Sequence, residues 1–170
     1  MTEKLLRATS YAFILFAVSV ATGQTAPKGP PALPGITAKD LYPRACVDCH
    51  VSYLEQKMDL RFSALLKQWT EKVDPQLLKR EAASAPPGLT LKGKHPAVSA
   101  ALKNIPKACL PCHGAASKTA PPFSRMMHVI HFTGGKENRF LTVFQGGCTH
   151  CHKFNTATGT WSLPSGPEKL

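Results

Sequence analysis

The chain has 170 residues, enough for one domain, and 21 lysines and arginines against ten acidic residues give it a formal charge of +11. Only 8% of the residues are aromatic, while 15 prolines and 12 glycines break the sequence into short segments. That is too little material for a large side-chain core, so something other than peptide is expected to fill the interior.

Near the N-terminus, Lys4 and Arg7 precede the apolar run YAFILFAVSVA at 11–21, and Ala21, Thr22 and Gly23 offer small residues for cleavage. This is the pattern of an export signal over residues 1–23. The competing reading is an uncleaved anchor, but 11 apolar residues fall short of the roughly 20 that span a bilayer. No cysteine lies near the cut, which argues against a lipid anchor. Export places the protein in the periplasm, and loss of Glu3, Lys4 and Arg7 leaves a charge of +10. Residues 24–45 carry five prolines and two glycines and read as an extended linker ahead of a domain over 46–170.

Within that domain Leu54, Met58, Phe62, Leu65, Trp69 and Val73 recur at steps of three or four, which predicts an amphipathic helix across 51–73 with Met58 in the core. Pro75 ends or kinks it, and QLLKREAA at 76–83 predicts a short second helix. The stretch 84–94 is a loop, and Pro96 suits the first turn of a helix through AVSAALKN, with His95 at its mouth. After a loop at 115–122, FSRMMHVIHF is expected to be helical. FLTVF at 140–144 reads as a short strand or a buried turn, broken by Gly146 and Gly147. The tail from Lys153 is turn-rich and is expected to wrap the surface, anchored by Trp161.

All six cysteines fall in three copies of one pattern: CVDCH at 46–50, CLPCH at 109–113 and CTHCH at 148–152. Cys-x-x-Cys-His is the attachment sequence of c-type haem. Two thiols add across the two vinyl groups of one porphyrin, and the following histidine falls where its imidazole can coordinate the iron. Cys46, Cys49 and His50 are thus assigned to one haem, Cys109, Cys112 and His113 to a second, and Cys148, Cys151 and His152 to a third. A disulfide framework leaves the histidines unexplained: with seven in 170 residues, chance puts one at all three positions about one time in ten thousand. Zinc knuckles come in pairs, and a thioredoxin-like site needs an α/β pattern that is not present. Gaps of 63 and 39 residues between motifs exclude a strict tandem repeat.

Four further histidines remain. His150 lies inside the third motif, too constrained to reach the far side of its own iron, and is read as solvent-facing or bonded to a propionate. His95, His128 and His131 then match three irons in number. His128 and His131 stand at i, i+3 on a helix and diverge enough to serve two different haems. With all three as ligands, every iron carries two imidazoles, is low-spin and has no open position. Histidine in place of methionine also favours a lower potential. Met126 or Met127 in place of a histidine on one iron is the alternative.

A small exported chain with several CxxCH motifs and distal histidines resembles the multihaem c-type cytochromes. The pair His128–His131 upstream of a CxxCH is similar to the class III group, cytochromes c3 and c7, with three haems matching the c7 subset. The resemblance covers 46–50 and the region from His95 to His152. It implies a mainly α, loop-rich fold cored by three covalently attached haem c groups, with little or no sheet, and electron transfer between periplasmic or membrane partners. This chain departs from the group in its longer gaps between motifs and in its tail.

The function expected is therefore that of an electron carrier, not an enzyme. Six propionates would bring the charge down to about +4, and lysines near the haem edges would steer redox partner proteins that are acidic at the docking site. Export and the scatter of the lysines argue against nucleic acid as a partner. Two alternatives stand beside it. One is a haem enzyme or small-molecule sensor with a five-coordinate iron, which requires that one distal histidine not bind. The other is a haem-bearing subunit docked through helix 51–73 to a larger oxidoreductase, in the membrane or free of it.

Overall fold

The computed structural model describes residues 39–169; the export signal and most of the proline-rich segment lie outside them. The described residues form eleven helical segments, most of one turn, and four strands of two or three residues. Part of the expected linker belongs to the body. Asp40 pairs with Lys153 (2.8 Å), and Ala45 is 1% exposed.

The first motif forms a single turn, α1 (Cys46–Cys49). The next segment differs from the helix expected over 51–73. Strands β1 (Ser52–Tyr53) and β2 (Met58–Asp59) form a small antiparallel hairpin, with Lys57 left-handed at φ 51°. The spacing of Leu54 and Met58 mimics a helix, but Leu54 sits in the turn, 85% exposed. Met58 is half-buried rather than core, its sulfur accepting from Arg139 Nη1 (3.1 Å).

The helix proper, α2, is Phe62–Glu71 and uses the lower part of the stripe. Its second backbone N–H is capped from far along the chain, Ser63 donating to Glu168 Oε1 (2.7 Å). Helix α3 (Pro75–Glu81) follows as expected. Pro75 supplies a preset φ, and Asp74 Oδ1 accepts from the backbone of Gln76 and Leu77, both at 2.9 Å. The helix expected after Pro96 is reduced to a 3₁₀ segment, Ser99–Lys103, and Pro96 lies outside it. The loop before it is tied to the end of α2, with Val73 donating to Gly93 O and His95 to Trp69 O, both at 2.8 Å.

The second motif spans a 3₁₀ turn and α4 (Leu110–His113). Helix α5 is Phe123–Phe132, the bounds read from sequence, and packs on α3. Residues expected as strand or buried turn form a one-turn helix instead, α6 (Arg139–Thr142). Asn138 explains the difference. Its Oδ1 caps α6 at Phe140 N (3.0 Å), while its Nδ2 donates back to Ile130 O (2.9 Å) and Thr133 O (2.6 Å) at the end of α5.

After the third motif, β3 (Lys153–Asn155) pairs antiparallel with β4 (Thr160–Ser162). Trp161 is 54% exposed and touches Phe154 without anchoring the tail. The anchors lie further on. Ile105 and Gly166 exchange two backbone hydrogen bonds (2.7 and 2.9 Å), Glu168 N donates to Leu102 O, and Lys169 pairs with Asp48. Among the described residues the buried apolar side chains are Ala45, Val47 and Ile105 with three prolines, Pro106, Pro121 and Pro122. No described helix is long and apolar enough to cross a membrane.

Candidate functional site

Each motif histidine faces one histidine from another segment. The ring centroids of His50 and His131 are 6.2 Å apart, those of His113 and His95 6.0 Å, and those of His152 and His128 6.1 Å. A metal–imidazole bond of about 2.0–2.1 Å plus roughly 1.1 Å from nitrogen to ring centre puts two imidazoles on opposite sides of one metal about 6 Å apart. His128 and His131 therefore face two different motifs. Three residues of α-helix leave their side chains about 60° apart in direction.

The ring nitrogens are sorted by the backbone. Nδ1 of His50 bonds to Leu60 O, that of His113 to Pro121 O, that of His131 to Met127 O and that of His95 to Pro96 O, each at 2.8 Å. A carbonyl only accepts, so Nδ1 carries the proton in each ring and Nε2 keeps its lone pair for a metal. Burial pushes the His50 imidazole down to about pH 4, against the opposing pull of Leu60 O and with His131 lowering it further. His113 and His131 are shifted down by burial as well. These rings are neutral at pH 7, the form that ligates.

The hairpin that replaced the expected helix serves this arrangement. It folds 58–61 back along the motif, Leu60 N donating to Val51 O (3.1 Å), which delivers Leu60 O to His50.

Two clefts bring the thiols to the same places. One is lined by Cys46, Cys49, His50 and His131, the other by Cys148, Cys151, His152 and His128. Met127, His131, Phe140 and Cys151 line both, so the clefts share a wall. The second motif lies at the surface, with Cys112 exposed and Leu110 44% exposed.

All six thiols are free. Burial first, and the neighbouring Cys151, push the Cys46 thiol up to about 12 and the Cys49 thiol up to about 11. Burial also raises Cys109 and Cys151. These are protonated thiols with little nucleophilic character, unlike the lowered thiols of a redox-active pair.

Among the described residues no three His, Cys, Asp or Glu side chains converge as ligands for a bare ion. The donor set is two opposed imidazoles beside a cysteine pair. A porphyrin supplies the four equatorial nitrogens that such a set lacks, so the residues fit haem.

His150, expected to face solvent or bond a propionate, is half-buried rather than solvent-facing: its Nε2 bonds to Phe144 O (2.9 Å), and its ring meets that of Tyr42 in a T-shaped contact at 4.9 Å. Replacing it in His150→Gln is expected to cost about 1 kcal/mol of stability and leave the haem content and spin state unchanged, as absorption spectra and a haem assay would check.

Two residues that sequence reasoning passed over also touch the ligand rings. Phe62 stacks on His50 (4.2 Å, 21° between planes), and the edge of Phe140 meets His131 (5.0 Å, 79°). Aromatic spacing placed Phe62 in a stripe but carried no signal of its contact, and nothing in FLTVF marked Phe140.

Comparison with protein-family models, curated proteins and solved structures finds no match.

Proposed function

We propose that the chain is an exported trihaem c-type cytochrome that carries electrons between redox partners. The observation that supports it most is the pairing: three motif histidines, each opposite one distal histidine at 6.0–6.2 Å, use up all three candidates. A peptide core of Ala45, Val47, Ile105 and three buried prolines is small for a domain of this length, as a cofactor-cored protein would have it.

Cys46 and Cys49, Cys109 and Cys112, and Cys148 and Cys151 would attach the three groups through thioether bonds. His50 with His131, His113 with His95, and His152 with His128 would hold the irons. Bound haem would supply a one-electron Fe(III)/Fe(II) couple. The chain's part is to hold an imidazole on each of the two faces, which would leave no open position for a substrate. The shared wall of Met127, His131, Phe140 and Cys151 keeps the two sites close. Loading three electrons per chain with no carbon monoxide adduct is the result expected from a reductive titration. An adduct in the wild-type protein would support a haem enzyme or sensor instead.

Charge supports an acidic partner at the second motif. No aspartate or glutamate occurs between residues 82 and 136, and Lys92, Lys94, Lys103, Lys107 and Lys118 in that segment are all exposed. The exposed Leu110 and Cys112 lie among them. With Lys103→Glu and Lys107→Glu together, reduction by an acidic flavoprotein donor is expected to slow about tenfold at low ionic strength, the difference fading in high salt. Stopped-flow mixing at two salt concentrations checks it.

A further inference from the structure

The three histidine pairs are alike in distance and unlike in angle. The ring planes of His95 and His113 are 5° apart, those of His128 and His152 31°, and those of His50 and His131 76°. Each ring of the crossed pair is held by two independent contacts. His50 bonds to Leu60 O and has Phe62 stacked on its face; His131 bonds to Met127 O, one turn back on α5, and has the Phe140 edge against it. Phe140 is fixed in turn. Asn138 Oδ1 holds its backbone N–H (3.0 Å) while the same side chain grips the end of α5, and Phe132 meets its ring at 5.4 Å and 80°.

We infer that the His50/His131 centre is electronically distinct from the other two, and that Phe62 and Phe140 are the positioning residues that make it so. This rests on the reading of the motifs as haem sites. The physical ground is orbital symmetry. Parallel imidazoles both interact with the same iron dπ orbital and split the dπ pair widely. Crossed imidazoles address one orbital each and leave the pair nearly equal in energy. Ferric low-spin iron of the first kind gives an ordinary rhombic EPR spectrum; of the second kind, a strongly anisotropic signal with one prominent low-field feature.

Phe140 is the more telling of the two, because it lines both clefts. Without the Phe140 ring, His131 keeps its bond to Met127 O but loses one of the two contacts that restrain rotation of its ring about Cβ–Cγ. The crossing angle at the first centre is then free to relax.

The test is the low-temperature EPR spectrum of the oxidised, fully loaded protein, wild type and Phe140→Leu, with a haem count for each. The expected wild-type spectrum is low-spin throughout, with about one third of the intensity in the strongly anisotropic signal. In Phe140→Leu that signal moves toward the rhombic type with three haems retained, and Phe140→Tyr restores it. Phe62→Leu is the second variant should Phe140→Leu not accumulate, with the same shift expected through His50. Three ordinary rhombic signals in the wild type would overturn the inference while leaving the haem assignment intact. An anisotropic signal unmoved by both leucine variants would overturn the positioning role. A high-spin signal, or fewer than three haems, would overturn the underlying reading instead.

Discussion

Replacing His95 with alanine is expected to convert one third of the ferric haem from low-spin to high-spin and to create one carbon monoxide site per reduced chain, with three haems still attached. The variant isolates ligation from folding. His95 is half-buried on a loop, its imidazole bonds only to the carbonyl of Pro96, and its backbone N–H, which donates to Trp69 O, survives the change. On the proposed reading attachment would run through Cys109 and Cys112, which are untouched. The iron therefore keeps His113 and loses the ring opposite. Spin state from EPR and carbon monoxide stoichiometry from absorption spectra would check it. An unchanged low-spin spectrum would mean that another group, or no iron at all, stands opposite His113. Methionine at the same position is expected to keep the centre low-spin and raise its potential, because a thioether favours ferrous iron relative to imidazole.

The second large effect is on stability. Ile105→Ala is expected to cost about 2–5 kcal/mol, against a usual total of about 5–15 kcal/mol. Ile105 is 2% exposed and is the largest fully buried side chain among the described residues. Its backbone also exchanges both hydrogen bonds with Gly166, so it is one of the points where the C-terminal tail is tied to the segment leading into the second motif. A cavity there loosens both. Leu54→Ala removes the same number of carbons from a side chain that is 85% exposed and is expected to change stability by no more than about 0.5 kcal/mol. Denaturant titration of the loaded variants compares the two. Equal costs would mean that Leu54 is covered, as the helical stripe across 51–73 implied.

That contrast shows where sequence reading succeeded and where it failed. Helix α5 was legible because ten residues of steady pattern are bounded by Pro122 on one side and by Thr133 and two glycines on the other. The stripe from Leu54 to Val73 was half right. Its lower part is α2, but its upper part follows the demand of His50 for a backbone acceptor, which the hairpin meets with Leu60 O and a helix does not. Nothing in the local pattern carries that long-range requirement. FLTVF was short and apolar, so its neighbour decided its conformation: Asn138 caps one helix and ends another. The signal was present, since asparagine favours such a position, but a single cap weighs little beside an apolar run.

The three Cys-x-x-Cys-His patterns and the three remaining histidines set opposite them could be picked out residue by residue, because a pattern of fixed residue types at fixed spacing is visible in the sequence itself. Their partners were not. Which distal ring faces which motif depends on how α5 and the loop carrying His95 pack, as does the angle between each pair. The tail was misjudged for a similar reason. Trp161 stood out by size, whereas the actual anchors are a glycine backbone, one carboxylate and one lysine, whose value depends on Ile105, Ser63 and Asp48 lying opposite them.

The measurement that tests the account most directly is the intact mass of protein produced in a periplasm with haem-attachment machinery, together with a thiol assay after denaturation. The account predicts a single species carrying the added mass of three haem groups and no titratable thiol. Apoprotein mass with six free thiols, or with three disulfides, from a host that loads a control cytochrome in the same culture would contradict it.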